Sequence, residues 1–330
     1  MQRASDILTV RKPGRLSRIA APVRANLPDK AWAGLLTVFG LAVFAVAAVI
    51  IVELWRLSTG VLARTGLLSF VLGSEWDVVR DLYGALPFVY GTLITSCVAL
   101  LLALPVSVGL ALFLTEMASP RVRSIVSFPI ALLAGIPSVV YGLWGLFVLV
   151  PLLRGHVEPW LASALGFLPF FRGPPIGLGY LAAGVILAIM ILPTITSIAI
   201  EVLRTVPLSL REAALALGAT RWETIRISVL PYARAGIMGA TILGLGRALG
   251  ETMAVTMLIG NSPTISASLF SPGYSLPAVI ANEFAEASSG LHTGALAALG
   301  LILFAVTLLL NVAARLLVRI SRRGPARVAA

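Results

Sequence analysis

Six long apolar runs constrain this chain more than any other feature, at about 32–57, 86–115, 124–153, 178–203, 232–260 and 293–318. A helix that crosses the hydrocarbon core of a bilayer needs about 20 mostly apolar residues, and each run meets that length. Within a bilayer every backbone N–H and C=O must be bonded inside the protein, and uninterrupted apolar runs of this length satisfy that requirement as helices. The expected fold is therefore an all-α integral membrane protein, a six-helix transmembrane bundle. Hydrophobic residues make up 58% of the chain and charged ones 12%, against about 25% charged in a soluble globular domain. Pro105, Pro129, Pro137 and Pro193 lie within the runs. Neighbouring helices can re-satisfy the backbone groups that proline frees, so the runs predict kinked helices packed together rather than isolated anchors.

The net charge of +11 comes from 25 basic and 14 acidic residues. The basic residues gather in alternate connecting segments. One set holds a leader over 1–31 (Arg3, Arg11, Lys12, Arg15, Arg18, Arg24, Lys30), then Arg121 and Arg123, the segment 204–231, and the end of the chain from Arg315 onward. The other set holds only Arg64, Arg80, Arg154 and Arg172. The positive-inside rule places the first set in the cytoplasm. Both termini, the basic leader 1–31 and the basic tail 321–330 are then inside, and 58–85, 154–177 and 261–290 are outer loops. This distribution is what topology requires, so no nucleic-acid partner is expected. The first run is too long for a signal-peptide core and no Ala-x-Ala site follows it, so it reads as a retained signal anchor. Trp160, Phe167, Phe170 and Phe171 suit an aromatic belt at the outer interface. The other two outer loops are polar enough to be ordered caps or a platform for a partner.

A polar island separates the fourth and fifth runs. Ser209 with Glu212, and Thr220 with Glu223, have capping-box spacing. Gly218 sits where a helix ends in the left-handed conformation. The segment reads as two short helices joined at a glycine. Leu210, Ala213, Ala214 and Leu217 form an apolar stripe at helical spacing, with Arg211 and Glu212 on the opposite side. A helix this short is marginal alone in water, so the stripe needs a partner surface. The plainer alternative is a hairpin that only joins two spans.

The fifth run carries Arg247 and Glu251, four residues apart and on one face of a continuous helix. A charge at membrane depth costs about 2.5–3.5 kcal/mol on insertion scales, so both must face protein or a wet path. They are either a structural ion pair or contacts for a translocated ligand. A guanidinium fork suits an oxyanion, to which it donates two parallel hydrogen bonds. Gly246 and Gly250 have the GxxxG spacing that lets another helix approach closely.

Other candidates point to no chemistry. Cys97 is the only cysteine, so no intrachain disulfide and no cysteine zinc site is expected, and it reads as a small packing residue. His156 and His292 lack ligand spacing and read as surface residues, so no metal is expected. Glu53 with Arg56 and Glu201 with Arg204 mark span ends, and Glu283 and Glu286 read as solvated charge. Lys12 and Lys30 are the only lysines and neither lies in a Walker A motif, so ATP hydrolysis would come from another chain. A membrane phosphatase would need converging histidines or carboxylates that this pattern lacks.

Glu212-Ala213-Ala214, Gly218 and Val229-Leu230-Pro231 resemble the coupling-helix signature of bacterial ABC importer permeases, with Ser228 where that family usually has an aliphatic residue. The run Gly246-Arg247-Ala-Leu-Gly250-Glu251-Thr252-Met-Ala-Val-Thr-Met, then Gly260-Asn261, is similar to the PstC-type phosphate importer permeases. So are Tyr83-Gly-Ala-Leu-Pro87 with Gly91 and Ser96, and Ala134-Gly-Ile-Pro137 with Gly142. The resemblance covers about 75–320 and leaves the leader outside. It implies a type I ABC importer permease bundle in the inner membrane, with a permease core over 86–320. It implies an ATP-driven importer for inorganic phosphate that works by alternating access. The implied partners are a second permease of PstA type, a PstB-type ATPase dimer and a PstS-type phosphate-binding protein outside. The loop 204–231, with Arg211, Glu212, Ala213, Ala214, Gly218, Ala219, Leu230 and Pro231, would insert into the ATPase. Arg247, Glu251 and Thr252 would line the path, with no cofactor. Physics alone leaves molybdate, sulfate and phosphonate open. It also leaves an ion-coupled secondary transporter, which would give the polar island no task.

Overall fold

The computed structural model describes residues 27–322. Most of the basic leader and tail read above therefore lies outside the described residues. In chain order the elements are helix α1 (Leu27–Thr65), helix α2 (Leu67–Leu72) and a two-stranded hairpin of β1 (Trp76–Asp77) and β2 (Leu82–Tyr83). Helices α3 (Leu86–Met117), α4 (Pro120–Gly135) and α5 (Ser138–Leu165) follow, then α6 (Tyr180–Arg204), α7 (Leu208–Ala216), α8 (Arg221–Leu249) and α9 (Met253–Leu258). The last two are α10 (Leu276–Glu283) and α11 (Gly290–Arg322). Among the described residues α1, α3, α5, α6, α8 and α11 are each long and apolar enough to cross a membrane.

Two spans are displaced from the sequence expectation. The third apolar run is two helices, α4 and α5, and the spanning one covers 138–165 rather than 124–153. Pro137 explains the break. Its ring disfavours helical geometry at Ile136, which is extended at ψ 130°. The fifth span covers 221–249 rather than 232–260, because the helix stops at Gly250. The first helix also runs on to Thr65, so the exposed Glu53–Arg56 pair at 3.2 Å lies within it, not at its end.

Pro105, Pro129 and Pro193 do stay inside helices. Pro151, Pro159 and Pro231 are accommodated differently. Each follows by two residues a wide turn, at 145–149, 153–157 and 225–229, where N–H groups bond five residues back, as from Val150 to Gly145. Proline lacks the N–H and clashes with the carbonyl four residues back, and a widened turn just before it relieves both.

The most deeply buried span is α6, which packs against α3 on one side and α8 on another. Tyr180, Ile186, Leu187, Ile191, Ile195 and Leu203 of α6 are all buried. Small residues set these helix crossings. A Cβ on Gly236 or Gly244 of α8 would strike Val202 or Ile195 of α6. Gly91 of α3 lies against the Tyr274 carbonyl, and Gly273 against the Tyr180 ring. Those two close approaches seat the segment 260–275 on the end of the bundle away from α7. Hydroxyls then hold it there: Tyr180 donates to Thr264 O and Tyr90 to Ser266 O, both at 2.9 Å, while Leu276 N donates to Thr92 Oγ1 at 2.8 Å. Cys97 faces outward instead of packing.

Candidate functional site

The polar island forms a hairpin that ends α6 and begins α8. The capping box at Thr220 is present: Glu223 N donates to Thr220 Oγ1 at 3.3 Å and Thr220 N to Glu223 Oε2 at 2.7 Å. The one proposed at Ser209 is not. Pro207 is the N-cap of α7, so Ser209 lies inside the first turn. Gly218 has φ +86°, with Gly218 N bonded to Leu215 O and Ala219 N to Ala214 O. This is the paired bonding of a Schellman motif, which needs a left-handed residue at that point. What was read as a second short helix is the start of α8.

Arg211 points inward, contrary to its expected outward face. Its Nη2 donates to Glu116 Oε1 at 2.8 Å and its Nε to Glu116 Oε2 at 3.1 Å. Its Nη1 and Nη2 also donate to the carbonyls of Val206 and Leu203, at 2.6 and 3.0 Å. One guanidinium thus ties α7 to the ends of α3 and α6. The two side chains are only 19% and 13% exposed. Beneath them Leu112, Leu203, Val206, Ile225, Val229 and Ala233 form a local core that Leu230 packs against. Glu212, Ala213 and Pro231 face outward, as do Leu210, Leu215, Trp222 and Ile227, and Leu217 is 90% exposed. Of the expected stripe only Ala214 is buried by the chain itself.

The second site is a cleft of about 790 Å³ between α6, α8 and α11. Arg247 stands in it and donates from Nη1 to Thr194 Oγ1 at 3.0 Å. Asn311, Arg315 and Arg319 of α11 line the same cleft, with Gly239 and Gly246 of α8. Glu251 and Thr252 do not. The helix ends between Arg247 and Glu251, so the pair does not share a helix face and makes no ion pair among the described residues. Glu251 Oε1 instead accepts from Ala254 N at 3.4 Å, at the start of α9. Among the described residues Gly246 and Gly250 have no other helix against them; the packing glycines of α8 are Gly236 and Gly244.

At the other end of the bundle, His292 and Glu283 form a contact that sequence reasoning missed. His292 is 5% exposed, its Nε2 lies 3.0 Å from Glu283 Oε2, and Trp76 Nε1 donates to that oxygen at 3.0 Å. His292 also stacks on Tyr83. Burial pushes the phenols of Tyr83 and Tyr274 above their ordinary range. This network joins β1, α10 and α11. His156 is exposed, as expected. No cluster among the described residues could hold a metal.

A cleft lined by cations on spanning helices, one of which grows directly out of an exposed hairpin, suits a transport subunit. Residues 103–323 match the model of the binding-protein-dependent transport system inner membrane component family. The chain belongs to that family. The permease is also 46% identical over 314 residues to the phosphate transport system permease protein PstC of Mesorhizobium japonicum, covering 94% of this chain and 96% of that one. It is 51% identical over 260 residues to PstC of Xylella fastidiosa (77% and 80% covered) and 48% over 284 to that of Haemophilus influenzae (85% and 90%). In fold it is similar to a chain of the crystal structure of a bacterial alginate ABC transporter in complex with an alginate pentasaccharide-bound periplasmic protein. There the TM-score is 0.60 at 20% identity, with 91% of this chain and 100% of that one covered. The permease is thus a multi-pass inner-membrane protein and the transport subunit of a multicomponent ABC importer.

Thr194, Asn311 and Glu116 were not singled out from the sequence, and Arg315 and Arg319 were read only for topology. Asn311, Arg315 and Arg319 recur every four residues, a spacing that would have placed them on one helix face. Nothing in sequence marks Glu116 as the partner of Arg211, 95 residues away.

Proposed function

We propose that this permease carries inorganic phosphate inward as half of the membrane path of an ATP-driven importer. A PstA-type permease forms the other half, a PstB-type ATPase dimer supplies the energy, and a PstS-type binding protein delivers phosphate outside. Both termini and the α7–α8 hairpin face the cytoplasm. The exposed face of the hairpin, with Glu212, Ala213 and Leu217, enters the ATPase. Closure of the ATPases on ATP then moves α8 as a lever, because the hairpin continues into it without a break.

The observation that carries this reading is the state of Arg247. Its guanidinium stands on α8 in an open cleft, bonded to a neutral hydroxyl and to no carboxylate among the described residues. A charge left so is available to an oxyanion. Glu251 and Thr252, in the break that follows within one turn, form the lip of the path on the far side. A weak site here suits passage, since ions must leave as readily as they enter.

The test is uptake of labelled phosphate by cells lacking this chain. Wild type should restore vanadate-sensitive uptake, and Arg247→Gln should abolish it while the complex still assembles. Normal uptake by the variant would remove Arg247 from the path. Restoration of sulfate or molybdate uptake in place of phosphate would overturn the substrate.

A further inference from the structure

We infer that Asn311, Arg315 and Arg319 form a second oxyanion site, at the hairpin end of the cleft, onto which the anion steps from Arg247 before release. This rests on the path proposed above. The three side chains recur at four-residue spacing on α11, so they share one face, and they line the same cleft as Arg247 and Thr194. The cleft runs along both helices. On α8 its lining extends from Ala235 to Arg247, twelve residues and so about 18 Å of helix. The start of α11 lies at the far end, where His292 meets Trp76 and Glu283. Arg315 and Arg319, more than 20 residues on, therefore stand toward the hairpin. The floor on the α8 side is left open by glycine: a Cβ on Gly239 or Gly246 would meet nothing within 4 Å.

Arg56, Arg80, Arg204 and Arg211 each have a carboxylate within 4 Å. Arg247, Arg315 and Arg319 have none among the described residues, and no Asp or Glu lines the cleft. Other arginines, such as Arg64, Arg221, Arg226 and Arg234, also lack a carboxylate within 4 Å among the described residues; what sets Arg247, Arg315 and Arg319 apart is that they share one cleft. Three uncompensated guanidinium groups facing one cavity attract an anion and repel one another, and both effects favour occupation. Asn311 Nδ2 donates to Thr307 O at 2.8 Å, which leaves its carbonyl oxygen to accept from a P–OH group. A single tight site would hold the anion. Staged weak sites let it move on, as in other membrane paths.

The rival explanation is that Arg315 and Arg319 only mark the cytoplasmic boundary. A lipid phosphate could also use the same donors. The test takes the assembled importer in nanodiscs of phosphatidylcholine, with Cys97→Ser removing this chain's only cysteine and Val318→Cys placing a reporter in the cleft, read against the same complex without Val318→Cys. The measured quantity is the rate of modification by an anionic methanethiosulfonate. Inorganic phosphate should slow it at least threefold. R315Q/R319Q should lower the rate without phosphate about tenfold, as expected for two unit charges close by in water, and should erase the protection. R315K/R319K, which keeps charge and topology, should hold the rate but weaken protection, because the bidentate fork is lost. In cells R315Q/R319Q should cut maximal phosphate uptake about tenfold with half-saturation unchanged.

Absence of phosphate protection, while Arg247→Gln still abolishes uptake, would refute the second site and leave the path standing. Normal uptake by Arg247→Gln would bring down the path and this step with it. Protection by phosphatidylglycerol nanodiscs but not by inorganic phosphate would identify a lipid site and overturn the step.

Discussion

Replacing Arg211 by methionine removes the four hydrogen bonds that hold α7 against the ends of α3 and α6. Breaking a fully buried ion pair by deleting one partner costs about 3–5 kcal/mol. Glu116 and Arg211 keep 13% and 19% exposure, so water recovers part of what is lost. The expected loss is about 2–4 kcal/mol in the local stability of the hairpin. Glu116→Gln keeps a neutral acceptor and leaves the two carbonyl bonds, so it should lose about 1–2 kcal/mol. The double variant should lose less than the sum, with a coupling of at least about 1 kcal/mol, because the groups share bonds. Native-state hydrogen exchange across 203–216 in the purified importer reads the opening free energy directly. Single losses below about 0.5 kcal/mol that simply add would refute the argument. The hairpin would then be held by the apolar cluster of Leu203, Ile225 and Val229 alone.

Gly218→Val forces a β-branched side chain into φ +86°, a strain of about 1–3 kcal/mol. The α7–α8 junction should distort, and the ATPase should co-purify poorly or turn over without transport. Gly91→Ala should disorder the segment 260–275, since its Cβ would strike the Tyr274 carbonyl, whereas Gly246→Ala should leave the fold of this chain unchanged because its Cβ meets open space within it. Proteolysis of 260–275 and gel filtration of the complex distinguish the two. Glu283→Ala strands the Trp76 and His292 nitrogens, at a loss of about 1–3 kcal/mol for each donor left buried without a partner. The near-ultraviolet signal of Trp76 should weaken together with thermal stability.

Patterns carried by neighbouring residues were legible. The Thr220–Glu223 box and the left-handed Gly218 need only atoms within one turn, and both are present. The same reasoning failed at Ser209, because the chain leaves α6 through Val206 and Pro207 and starts α7 two residues earlier, with Pro207 as its N-cap. Arg247 and Glu251 would share a face only on a helix that continues, and Gly250 ends it. Arg211 shows a further limit. Its spacing told which residues share its face of α7, but not that α3 and α6 would cover that face.

The sequence by itself determined the membrane, the helical class and the number of spans. It also determined the polar hairpin, because length, apolarity and capping are properties of contiguous residues in a given solvent. Only the tertiary structure decided which charges are paired and which stand free. Arg211 meets Glu116 across 95 residues, Trp76 meets Glu283 across 207, and Arg247 meets Thr194 across 53. A charge in a low-dielectric protein is held or released by whatever the packing brings within a few ångströms; for Arg247 and Thr194 that distance follows from the close α6–α8 crossing at Gly236 and Gly244, not from sequence spacing.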